Sequence, residues 1–220
     1  METPESPPFR RPTPVDFLLG QIDHALFNIF AQQRSSRPYP AEESSAEREL
    51  TADEKRLAAG LMRVNHAGEM AAQALYQGQG LTARDPSLRA KFRQASIEEA
   101  DHLNWCRRRL SELGEQPSKL DPLWYAGSLA IGMAAGIAGD RWNLGFLAET
   151  EHQVCRHLDS HLERLPASDS ESRAIIEQMR IDELSHAQLA EREGAAELPA
   201  PIKMGMQLTS KIMTTLAERI

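Results

Sequence analysis

Two pairs of residues in this chain share a type and a spacing that suit metal chemistry. Glu99 and His102 stand three apart in EEADH (98–102), and Glu183 and His186 stand three apart in DELSH (182–186). On a helix, residues i and i+3 share a face one turn apart, so each carboxylate projects beside its imidazole. A lone glutamate precedes each pair: Glu69 lies 30 residues before Glu99, and Glu151 lies 32 before Glu183. The chain therefore reads as two similar halves, each a glutamate followed, one helical hairpin later, by Glu-x-x-His. Folded together, the halves bring four carboxylates and two imidazoles to one place. That is the ligand set of a carboxylate-bridged di-iron bundle. Hard oxygen donors and neutral imidazoles suit iron or manganese, and four negative charges match two divalent cations.

Neighbouring residues compete for these roles. His66 lies three before Glu69, Glu149 and His152 flank Glu151, and Glu98 adjoins Glu99. The repeat favours Glu69, Glu99, His102, Glu151, Glu183 and His186. Gly68 adds support, because a glycine inside a helix is costly unless something must approach it closely. Imidazole ligands need partners on their far nitrogens. By the symmetry of the repeat, Asp182 is expected to bond His102, and Glu98 to bond His186.

The elements that must carry these residues are helical. Alanine, leucine, glutamate, arginine and glutamine are abundant, aromatics make up only 5%, and strand-like alternation is missing over long stretches. This predicts an all-α chain, a four-helix bundle with a central di-metal site and short flanking helices. Residues 1–14 hold five prolines and read as a disordered tail. Residues 15–50 read as a short amphipathic helix, over about 15–32, and a linker; Phe17, Leu18, Ile22, Leu26, Ile29 and Phe30 share its apolar face. The bundle occupies 51–194. Thr51 and Glu54 form a capping box at the start of a helix over about 52–83. Asp85-Pro86 starts a second helix, which ends at Gly114. A third contains 140–164, and a fourth, capped by Ser168 or Asp169, ends at Gly194. Residues 195–220 carry a last helix, over about 202–218.

Composition also excludes classes. A net charge of −7 with no dense Lys/Arg block argues against nucleic acid. Cys106 and Cys155 form no CxxC, which removes a rubredoxin-like electron-transfer module and leaves a reducing compartment as the expectation. No secretory or transit signal is read at the N-terminus.

The stretches RVNHAGEMAA (63–72), EEADHLNWC (98–106), ETEHQVCRHL (149–158) and DELSHA (182–187) resemble the demethoxyubiquinone hydroxylases of ubiquinone biosynthesis. The match runs from about residue 15 to the C-terminal LAERI, and NHAGE is its most family-specific part. The resemblance implies a ferritin-like fold and a di-iron monooxygenase that hydroxylates a polyprenylated demethoxyubiquinol with O2. Carried over, the iron ligands are the same six residues. Electrons would come from NADH or through the quinol, and His157 matches a family position associated with electron entry. Thr214 and Thr215 stand where relatives often carry a tyrosine. Implied partners are the quinol, a membrane surface, and a further copy of the chain or other ubiquinone-biosynthesis proteins. The implied location is peripheral, on the cytoplasmic face of the cell membrane.

Such a substrate calls for an apolar surface. Residues 123–139 carry no charge over 17 positions, short of the ~20 that span a bilayer. They read as a monotopic, interfacial element, with Trp124 and Tyr125 as interfacial anchors and Gly132 and Gly136 as a GxxxG helix contact. The rival readings are an iron-storage or ferroxidase protein of the same architecture, a peroxide-reducing rubrerythrin type, and a non-catalytic quinone-binding scaffold.

Overall fold

Thr51 does what its spacing predicts. Its side chain accepts from the Glu54 backbone while Glu54 reaches back to the Thr51 N–H, starting a helix that runs from Ala52 to Thr82. In the computed structural model, which describes residues 13–31, 35–42 and 49–220 (less the side chain of Leu18), seven helices are present and no strand. They are α1 (Pro14–Phe30), α2 (Ala52–Thr82), α3 (Pro86–Glu112), α4 (Asp121–Ile137), α5 (Asp140–Arg164), α6 (Ser170–Arg192) and α7 (Ala200–Ala217). The predicted disordered tail lies outside the described residues up to residue 12, and its last two residues cap and open α1. Asp85 caps α3 with Pro86 in its first turn, and Asp169, rather than Ser168, caps α6. Gly114 and Gly194 stop α3 and α6 at φ +80° and +91°, a region open to glycine at little cost.

α2 pairs with α3, and α5 with α6, as antiparallel hairpins that face each other. Between α3 and α5 the chain must return to the other end of the bundle, and α4 is that return. It runs parallel to α2 and packs against it along its whole length. Small residues set the approach. A methyl added at Gly132 would run into the Leu75 carbonyl, and one at Gly136 would meet Thr82. The predicted GxxxG contact is therefore made inside the chain, between α4 and α2.

The anchors expected at the start of α4 are placed differently. Tyr125 is buried, donating its hydroxyl to Gln77 and accepting from Asn28, and Trp124 packs on Val64, Ala67 and Ala217. Tyr125 is seated inside the protein, because a buried tyrosine needs a partner for its hydroxyl and finds two here. α1 also turns its faces differently from a core-seeking helix. Gln21 and Asn28 dock it through Gln77 and Tyr125, while Phe17, Ile22, Leu26 and Phe30 stay exposed. No helix among the described residues is long and apolar enough to cross a membrane.

Candidate metal centre

The apolar faces of the two hairpins bury each other, and the four carboxylates and two imidazoles lie between them. Glu69 comes from α2, Glu99 and His102 from α3, Glu151 from α5, and Glu183 and His186 from α6. All six are buried; His186, at 8%, is the most exposed. One ligating atom each from Glu69, Glu99, His102 and Glu183 falls within 4.8 Å of the others. His102 Nδ1 lies 2.9 Å from Glu99, 3.1 Å from Glu183 and 3.7 Å from Glu69. His186 Nδ1 lies 3.2 Å from both Glu99 and Glu183. Glu99 and Glu183 thus each face both rings. Glu151 joins the cluster through Tyr76, whose hydroxyl donates to it and lies 3.3 Å from Glu99. The structure brings all six predicted residues together.

The rivals lie elsewhere. His66 is fully buried, with Nδ1 3.1 Å from Asp121 at the start of α4. His152 pairs with Glu191 on the surface, and Glu149 with Arg156 and Lys203. Glu98 and Asp182 take the expected orienting positions: His186 Nε2 is 2.7 Å from Glu98, and His102 Nε2 is 2.9 Å from Asp182. In each ring Nε2 faces outward to an acid, and Nδ1 is the atom turned to the carboxylates.

The electrostatics fit a cation. Burial, with the charges of Glu99 and Glu183, pushes the Glu69 carboxyl well above its usual range, and burial with the same two charges does this to Glu151. Burial works against ionised Glu99 too, but His102 and His186 hold it well below. Against burial, the surrounding carboxylates raise His102 well above its ordinary value and His186 to about 12. The cluster therefore holds protons on imidazoles and carboxyls where positive charge is needed, and these are the protons that divalent cations displace. Oxygen-rich donors with two imidazoles suit iron or manganese, and the residues present fit such a pair.

Three features of the site escape a reading by motif. The repeat is longer than Glu-x-x-His: Gln94-x-x-Ile97-Glu98-Glu99-x-x-His102 matches Gln178-x-x-Ile181-Asp182-Glu183-x-x-His186. Gln94 bonds Glu98 at 2.9 Å and Gln178 bonds Asp182 at 3.0 Å, so the glutamines hold the orienting acids. Aligning the two halves would have found them. Tyr76 lies seven residues after Glu69, on the same face, but has no counterpart in the second half. Arg37, in the linker, reaches Asp101 and Asp182, and no periodicity in the linker points to it.

A cavity of about 300 Å³ opens beside the cluster, lined by α2, α4, α5 and α7 and by Glu183 of α6. Glu69, Glu151 and Glu183 form its inner end, and Leu75, Ile131, Phe146, Val154 and Met213 are among its apolar walls. His157 and Asn65 line it as well, and His157 Nε2 and Asn65 Oδ1 are buried without a hydrogen-bond partner. Burial, with Arg164 nearby, lowers His157 to about 4, so this ring is neutral near pH 7. Thr214 also lines the cavity.

The family model for Ubiquinone biosynthesis protein COQ7 matches residues 56–217, which carry all six clustered residues. A 3-demethoxyubiquinol 3-hydroxylase of Chromobacterium violaceum is 57% identical over 206 residues, 94% of this chain and 100% of that protein. Proteins of the same name from Dechloromonas aromatica and Bordetella pertussis are 55% and 52% identical, covering 93% and 94% of this chain and 98% and 94% of their own lengths. Likeness of this extent and level places the chain in the COQ7 family of ubiquinone biosynthesis proteins.

Proposed function

We propose that this chain is a 3-demethoxyubiquinol 3-hydroxylase, an oxygen-dependent monooxygenase that works with two irons held by Glu69, Glu99, His102, Glu151, Glu183 and His186. The observation that carries the reading is the cavity: an apolar chamber whose inner end is formed by three of these carboxylates. An iron pair bound there would supply the reductive activation of dioxygen, with one oxygen atom going to the ring and the other to water. The chain's own residues do the rest. Leu75, Ile131, Phe146, Val154 and Met213 exclude water and seat a substituted quinol ring against the carboxylates. Asn65 Oδ1 and His157 Nε2 are available to the ring's oxygen substituents. Asp182 and Glu98 fix the histidine rings so that Nδ1 faces inward. An iron-storage or ferroxidase reading lacks an equivalent support, since ions need a polar path and this chamber is apolar.

The same reading places the chain on a membrane surface, peripherally, at the cytoplasmic face of the cell membrane. The helices outside the bundle carry most of the exposed large apolar side chains, among them Phe17 and Phe30 of α1, Leu123 and Ile137 of α4, and Met204 and Leu208 of α7. α4 is then a two-sided element, one side packed on α2 and the other in contact with lipid.

The test is direct. Iron-loaded protein is reduced without air and given a demethoxyubiquinol analogue with labelled dioxygen, and the product is weighed by mass spectrometry. Label in the ring is the expected result. Oxidised iron with unchanged quinol would leave a ferroxidase or scaffold.

A further inference from the structure

The tripeptide Ser35-Ser36-Arg37 is fastened to the bundle around Asp101, which adjoins a proposed ligand. Asp101 of α3 is buried, and among the described residues its hydrogen bonds come from these three. Ser35 Oγ and the Ser36 N–H donate to Oδ1 at 2.9 and 2.6 Å, and Ser36 Oγ and Arg37 Nε donate to Oδ2 at 2.7 and 3.2 Å. This clamp aims the guanidinium. Arg37 Nη1 donates to Asp182 Oδ2 at 2.8 Å, the same oxygen that takes His102 Nε2 at 2.9 Å, and Nη2 comes within 3.1 Å of that ring nitrogen. The guanidinium also covers the Trp105 ring at 4.7 Å, and Trp105 packs against the His102 ring at 5.3 Å. His102 Nε2 donates to Asp182 and so cannot also accept from Arg37; the guanidinium acts on the ring through Asp182, while the Trp105 indole packs against the ring and lies under the guanidinium.

Among the described residues, the equivalent place in the other half has no such clamp. Asp101 falls one residue before His102, and the residue one before His186 is Ser185, which is exposed. Glu98, the acid on His186, has a side chain 37% exposed and, among the described residues, pairs with no arginine or lysine.

We propose that Arg37 is a positioning residue of the metal centre: seated by Asp101 and acting through Asp182, it holds the His102 half-site rigid and makes it the slower of the two to release its metal. The inference rests on the two-metal reading. Groups that orient a ligand from outside change metal affinity by about 10- to 100-fold, so a half-site with a locked partner and one with a solvated partner separate measurably. The fork matters as well as the charge, because two nitrogens of one planar group must reach Asp101 and Asp182 together.

Cobalt(II) is the probe. The full chain is loaded with two ions and mixed with excess chelator, and ligand-field absorption follows their loss. Two equal phases are expected, separated by about tenfold or more. Arg37→Gln and Asp101→Asn should each speed the slow phase about tenfold and leave the fast phase unchanged. Arg37→Lys should not restore the slow phase, and Glu98→Gln should speed only the fast one. Lys91→Gln, which breaks a surface pair with Glu193, should change neither. A wild-type chain that loses both ions at one rate, an Arg37→Gln chain with both phases sped equally, or full rescue by lysine would each overturn the proposal. A chain that cannot hold two cobalt ions would instead overturn the two-metal reading.

Discussion

His102 of α3 and His186 of α6 occupy equivalent places in one repeated pattern, and each turns Nε2 to the acid that the pattern supplies. Their surroundings then part. The acid on His102 is shared with a guanidinium that covers an indole, while the acid on His186 is more exposed to solvent. The α2 and α5 sides part too: Tyr76 donates into the cluster, and the matching position seven after Glu151 is Leu158, an apolar core residue. A duplicated plan thus fixes where the six proposed ligands stand, and single substitutions at unduplicated positions give the two halves different surroundings. The difference lies in neighbours of the ligands, so it can be probed while all six ligands are kept.

The largest effect should be symmetric. Glu99 and Glu183 each face both imidazoles, so Glu99→Gln and Glu183→Gln should lower metal affinity and turnover alike, by at least the ~100-fold upper end of what outer partners cost. Metal content after gel filtration would show it, and a large gap between the two variants would break the equivalence. Next come the orienting acids, where asymmetry should appear. Asp182→Asn strands both His102 and Arg37 and should cost ~100-fold in metal affinity, against ~10-fold for Glu98→Gln, whose place water can fill. Equal losses in a metal titration would erase the distinction between the halves. Tyr76→Phe removes a hydroxyl from two buried carboxylates and should lower stability by about 1–3 kcal/mol in thermal or denaturant unfolding. A silent substitution there would confine the asymmetry to the Arg37 side.

A last difference concerns pH. α5 carries His157 and His161 at six and ten residues after Glu151, where α2 has Leu75 and Gln79 after Glu69. Burial lowers these rings to about 4 and about 2, and they meet edge to face with centroids 4.0 Å apart. Their folded values lie below the unfolded value near 6.5, so the unfolded chain takes up protons first as pH falls. Stability should be full above about pH 6.5 and fall with acid towards those values, by at most ~1.4 kcal/mol per pH unit for each ring. His161→Leu should flatten that decline in denaturant melts at stepped pH, and an unchanged slope would remove the imidazoles from the account.

The clustering of the six residues was legible because helices turn a spacing of three or four into a shared face, and because the plan occurs twice. The caps at Thr51 and Asp85 and the stops at Gly114 and Gly194 were legible for a local reason: each depends on its own few residues. Arg37 was not, since its partners lie 64 to 145 residues away and an irregular linker has no period to betray a facing side. Tyr125 and Trp124 were read as anchors because an aromatic pair beside an apolar run suits an interface equally well. Only packing decides, and here Asn28 and Gln77 offered the phenol a buried partner. α1 misleads a reader in the same way, because amphipathicity shows that two faces differ and leaves open which of them meets the protein.

One wall of the cavity is unlike the others. α2, α4 and α5 are locked by backbone contacts and buried side chains, whereas α7 buries only Ala217, near its end, and the Gly205–Thr214 stretch lining the chamber contributes no buried residue. Opening that stretch uncovers little apolar core, so its amides belong to the low-protection end of a hydrogen-exchange experiment, with those of α2 near the global limit. Access to the chamber is then a local equilibrium on its outer side, one that can come and go many times while the helices bearing the carboxylates stay closed.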